Sequence, residues 1–151
     1  GAVYPRASEL FAQSRITATR FLRRILLPCS VTFFVLGICL FAGADFIARL
    51  VSGTSNSNVG VLIRIMAILP LTVFVDNIYG TQIMLNLGME KQFRNAVVCS
   101  ALASLLLSLM LVPVFGAIGA AGAYASSEAL ALVLMVLPVH RAGIRLLGVH
   151  E

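Results

Sequence analysis

Three ionisable residues stand in stretches too apolar to hold them at no cost. Arg64 and Asp76 share one run, Val59–Tyr79, and Glu128 lies in the middle of another. An ionised group at mid-depth in a bilayer costs about 2.5–3.5 kcal/mol on insertion scales. Each must therefore face a polar interior, reach water, find a partner or lose its charge. On an ideal helix of about 100° per residue, Arg64, Thr72, Asp76, Tyr79 and Gln82 fall within about one third of the circumference. Leu62, Ile63, Met66, Ala67, Val73 and Phe74 occupy much of the rest, and Asn77 and Thr81 interrupt that apolar side. Such a polar stripe is what a water-filled passage requires. Arg64 would attract an anion. A carboxyl at Asp76 or Glu128 could load and release a proton or hold a sodium ion, and Tyr124, one turn before Glu128, shares its face.

Structural readings compete with each of these roles. Arg64 lies five residues from one end of its run and can snorkel. Asp76, near the other end, can do the same or accept a hydrogen bond from a Tyr or Thr on a neighbour. The two are about 18 Å apart along a helix and so cannot pair. Glu128 is too deep to snorkel; it is either a proton carrier or a protonated carboxyl bonding another helix. Ser100, Ser104 and Ser108 bond either across to a neighbour or back to their own preceding turn. Gly116, Gly119, Ala120, Ala123 and Ser127 form a small-residue row that permits close backbone approach. Cys29, Cys39 and Cys99 lie in apolar runs without C-x-x-C spacing and read as packing residues, so neither metal nor cofactor is expected. The only histidines are His140 and His150, and no H-E-x-x-H, G-x-S-x-G, P-loop or glycine fingerprint occurs. This argues against an enzyme.

The elements that position these residues follow from composition. The chain has 151 residues, 60% hydrophobic and 11% charged, with mean hydropathy +1.00. Soluble domains carry about 25% charged residues. The reading is an all-α membrane protein with spans at 25–44, 59–79, 96–115 and 117–139, each near the roughly 20 residues a bilayer core needs. Pro28 falls in the first turn of the first span, and Pro70 should kink the second. Residues 1–24 read as an interfacial amphipathic segment or, alternatively, a solvated basic linker. Residues 45–58 form an outer loop with Phe46–Val51 at the interface, residues 80–95 an inner turn with Gly88 as helix cap, Gly116 a tight outer turn, and 140–151 a tail. Nine of the eleven Lys and Arg flank the spans on one side, Arg49 alone lies on the other, and Arg64 is within a span. Both termini are thus expected in the cytoplasm. The net charge of +5 fits membrane-surface attraction; without aromatic–basic interleaving it does not indicate nucleic acid. The first 20 residues do not read as a signal peptide, and the start at Gly1 reads as a piece of a longer protein, a tag scar or processing.

The segments YPRASELFAQSRITATRFLRR, ILPLTVFVDNIYGTQIMLNLGMEKQFRNA and LVPVFGAIGAAGAYASSEAL, in that order and followed by a basic tail, resemble the C-terminal part of bacterial polysaccharide flippases. These are the O-antigen and teichoic-acid export branch of the multidrug/oligosaccharidyl-lipid/polysaccharide superfamily. The resemblance covers nearly the whole chain and rests on spacing and on LGMEKQFRN and LVP-x-FG-x-x-GAAGA. It implies four helices resembling the last four of a twelve-helix flippase, whose two six-helix lobes surround a cationic cavity. It implies transfer of undecaprenyl-pyrophosphate-linked oligosaccharide across the bacterial inner membrane. Arg64 is the site residue it carries over, with Asp76 and Glu128 matched by span only. Implied partners are membrane lipid, the lipid-linked oligosaccharide, an N-terminal lobe of the same protein and the polysaccharide polymerase machinery. Four helices would not enclose that cavity, so this chain alone should not transport. Two alternatives stay open: a multidrug or lipid exporter of the same superfamily, with an acidic cation site, and a non-transporting membrane scaffold.

Overall fold

The computed structural model describes residues 8–143, apart from 12 and 54–56. Arg6, Arg145 and His150, assigned above to the interfacial segment and the tail, lie outside the described residues. In hydrocarbon every backbone N–H and C=O must be paired within its own segment, which favours helices. The elements are α1 (Arg15–Ala42), α2 (Ala44–Ser52), α3 (Ser57–Met66), α4 (Leu69–Asn77), a π-helical segment (Ile78–Met84), α5 (Glu90–Phe115) and α6 (Ala117–Arg141). No strand occurs among the described residues. Four helical stretches are long and apolar enough to cross a membrane: Ile16–Ala42, Asn58–Met84, Glu90–Phe115 and Ala117–Arg141. The expected all-α, multi-pass membrane architecture is found.

Three local departures from the expected boundaries have physical causes. Residues 15–24 continue into the first span as one helix, with no turn between them. Pro28 therefore lies inside α1 rather than in a first turn, and its carbonyl accepts a bond from Thr32 Oγ1 at 3.0 Å. The second span is interrupted at Ala67–Ile68, just before Pro70. Proline has no N–H to give to Met66, and its ring crowds that carbonyl, so the break falls in the preceding turn. Ala67 N–H bonds instead to Arg64 O at 3.3 Å, a tighter three-residue step. The second span also runs beyond Tyr79 to Met84 through the π segment, where Leu85 N–H reaches Gly80 O, five residues back. The turn to α5 is thereby shortened, with Gly88 at φ +70°.

The buried core lies toward the basic end of the bundle. There Leu22 and Leu26 of α1, Ile78, Tyr79, Ile83 and Met84 of the π segment, Ala96 of α5, and Met135 and Val139 of α6 pack together. Glycine allows the closest approaches. A Cβ on Gly80 would lie 2.5 Å from the Phe93 ring, and one on Gly37 would lie 2.7 Å from Ala67 O. Gly116, at φ +58°, ψ −131°, is the only residue between α5 and α6. Of the small-residue row, Gly119, Ala123 and Ser127 are buried while Gly116 and Ala120 are exposed. Ser100 bonds back to Val97 O at 3.0 Å. Outside the core, side chains such as Phe34, Phe41, Leu105, Leu109 and Val133 are exposed, as hydrocarbon solvent permits.

A Cβ on Gly119 would lie 2.3 Å from Leu111 O, whereas nothing lies within 4 Å of one on Gly122. Gly119→Ala should therefore force α5 and α6 apart and destabilise the chain by about 1–3 kcal/mol. Gly122→Ala should be neutral or slightly stabilising. Thermal unfolding of the two variants in detergent, followed by circular dichroism, checks the contrast.

Candidate functional site

The polar residues of the second span are divided between two places, Arg64 before the break at Ala67–Ile68 and Asp76, Tyr79 and Gln82 after it, with about 18 Å along the axis separating Arg64 from Asp76. At the end opposite the core, Gly43 bends the chain between α1 and α2, and Asp45 opens α2. Arg64, in the last turn of α3, donates to Asp45 Oδ2 at 2.7 Å. Gly60, one turn before Arg64, makes room for this pair, since a Cβ there would lie 2.8 Å from Asp45 Oδ1. The guanidinium also stands 5.9 Å from the Phe41 ring centroid, within cation–π range. The Arg64 and Asp45 side chains are 36% and 63% exposed, so the pair lies at the surface of this helix group. Beside it runs an apolar cavity of about 400 Å³ between α1 and the α3–α4 junction, walled by Phe33, Phe34, Phe41, Ile65 and Leu71. Among the described residues that line it, Arg64 alone is charged.

The second place is inside the bundle. Thr72 turns its hydroxyl back to Leu69 O at 3.1 Å, a local bond. Asp76, Tyr79 and Gln82 are buried. Neither Asp76 oxygen, nor Gln82 Oε1, has a hydrogen-bond donor. The Asp76 carboxyl instead faces the Glu128 carboxyl of α6, near enough for the two side chains to interact. Tyr124, one turn earlier on α6, interacts with the same Glu128 carboxyl. Asp76 is enclosed, Glu128 is half-buried and Tyr124 is exposed, so the cluster runs from the interior to the surface of this helix group.

Asp76, Glu128 and Tyr124 thus come together. Tyr79 and Gln82 line the buried stretch that follows on the π segment, while Arg64 stands apart with Asp45 and Thr72 is occupied locally. Asp45 is the participant that sequence reasoning missed. Its signal was available: an acid directly after the first span and a base five residues into the second fall at similar depth when the spans are antiparallel. No cluster of three or more His, Cys, Asp or Glu able to hold a metal occurs among the described residues.

An exposed ion pair contributes about 0.2–1 kcal/mol. A double-mutant cycle with Asp45→Ala and Arg64→Ala should give a coupling energy in that range, falling as salt is raised. A coupling well above it would show that the pair is shielded from water.

Comparison with known proteins gives one relevant likeness. Over 136 residues, 90% of this chain, the sequence is 29% identical to an Escherichia coli (strain K12) protein named "Putative O-antigen transporter". The chain spans about a third of that relative's length, 33%. No protein-family model and no solved structure matches it. The resemblance to polysaccharide flippases read from the sequence is therefore borne out: nearly the whole of this multi-pass membrane chain is similar to part of a protein named as an O-antigen transporter.

Proposed function

We propose that this chain forms part of a bacterial inner-membrane flippase that moves undecaprenyl-pyrophosphate-linked oligosaccharide for polysaccharide biosynthesis. The observation that carries the reading is the likeness to a protein named as an O-antigen transporter over 90% of the chain. On this reading the four spans are the last four of twelve, both termini are cytoplasmic, and an N-terminal lobe of the same protein completes the cavity. The lobes rock about a mid-membrane site and expose it to each side in turn. Arg64 stands at the mouth of an apolar cavity. Its pairing with Asp45 is exposed, which leaves the guanidinium accessible, so a pyrophosphate can take the place of Asp45 while an isoprenoid chain lies along the cavity wall. Asp76, Glu128 and Tyr124 bind the coupling ion. The chain itself performs no bond chemistry and is not an enzyme, and the polymerase machinery would receive the translocated glycan.

One observation favours the exporter alternative. Asp45 already compensates Arg64, which leaves the Asp76–Glu128 cluster as the interior charge and gives it the acidic character that suits a cationic drug. Complementation separates the readings. In a strain lacking its own O-antigen flippase, the complete gene that encodes this chain should restore surface polysaccharide. The Arg64→Ala and Glu128→Gln forms, present in the membrane at equal level, should restore less than a tenth as much. Unchanged export in both variants would remove these residues from the pathway. Drug efflux without polysaccharide would favour the exporter.

A further inference from the structure

We propose that Asp76 and Glu128 hold a single proton between them, forming a proton-binding link between the second and fourth membrane helices. The evidence is geometric. Asp76 is 9% exposed, and neither of its oxygens finds an N–H or O–H donor. What it meets is a second carboxyl, Glu128, on α6. An ionised carboxylate can only accept, so two ionised groups would leave both buried Asp76 oxygens unsatisfied and would repel across the contact. One proton removes both problems: it is shared between the two carboxyls, each donating to the other in turn, in a charge-assisted O–H···O bond.

Nothing else described at this depth supplies a counter-charge. The Phe33–Phe74 ring contact, with centroids 5.0 Å apart, fixes the register of α1 against α4. It places Cys29 of α1 near Asp76 and Arg24 about 10 Å further along the axis. On the adjoining π segment the titratable neighbour is Tyr79. On α6 the groups are Glu128 and Tyr124, and α3 offers Arg64, about 18 Å away and paired with Asp45. A hard metal cation takes about six or more oxygen ligands, whereas two carboxyls and one phenol meet here. A proton needs only the two carboxyls.

Proton release follows the gradient of exposure. The shared O–H bond breaks, the proton passes to water reaching Glu128 on the side where Tyr124 is exposed, and two carboxylates remain. Their repulsion loosens α4 from α6, and reprotonation draws the helices together. The binding of the proton rests on this contact, whereas its use in transport rests on the function proposed above.

The test is infrared spectroscopy of the whole chain in lipid nanodiscs, in sodium-free buffer at neutral pH. One carboxylic acid C=O band per chain is expected. It should shift when aspartate carboxyls carry carbon-13 and again when glutamate carboxyls do, because both groups share the proton; isotopic labels leave folding untouched. Separate Asp76→Asn and Glu128→Gln variants should each abolish the same band. A band that answers to only one label, or is absent, overturns the proposal, as does its loss on adding sodium chloride. If the band behaves as expected but Glu128→Gln still restores polysaccharide, the shared proton stands and its coupling role falls. If export is lost in that variant but the wild-type chain shows no such band, the coupling role stands and the shared proton falls.

Discussion

The bilayer's refusal to satisfy unpaired backbone groups is the constraint on which the rest of this structure depends. Three of the four spans meet it with continuous α-helices. The second span departs from the regular α-helical pattern twice: at Ala67–Ile68, where Pro70 removes a donor, and over Ile78–Met84, where the bonds lengthen to five-residue steps. Each irregularity is packed against protein. Gly37 of α1 lets the Ala67 carbonyl approach, and Phe93 of α5 with Met135 of α6 closes over Gly80. Both irregularities also flank ionisable side chains. Arg64 comes one turn before the first, and Asp76 two residues before the second. Distortions of this π type frequently mark functional positions in helices.

Charge is handled differently at the two depths. Near the end opposite the core, Arg64 and Asp45 meet at the surface of the helix group, and an ion pair exposed in this way is worth little. In the interior, Asp76 meets Glu128 in surroundings that open toward the surface of the helix group only on the side of Glu128 and Tyr124. The same helix group thus offers an exposed ion pair beside an apolar cavity and, separately, an enclosed acid facing a second one. Their separation along the second span keeps a basic group away from an acidic cluster.

Much of the fold was legible in the sequence, because span number and approximate limits follow from hydropathy and length alone. Gly116 as a tight turn and Pro70 as the point of irregularity were legible for the same local reasons. The pairing of side chains was not. An ideal phase of about 100° per residue put Arg64, Thr72, Asp76, Tyr79 and Gln82 on one stripe, but the break and the π segment each change the rotation between them. Contacts such as Arg64–Asp45 and Asp76–Glu128 depend on the axial register of separate helices, which no single span encodes. Even so, the depth of Glu128 did single it out as a carboxyl that needed a partner or a proton.

The single residue between α5 and α6 has a consequence for how the chain enters the membrane. Phe115 ends one span and Ala117 begins the next, so no hydrophilic segment exists at that tip to be carried across. The two helices have to be threaded into the bilayer together, as one hairpin whose crest never needs to become a loop. Protease or antibody approaching from that side would find almost nothing to grip between them, although the same pair leaves both of its other ends within reach of the basic surface.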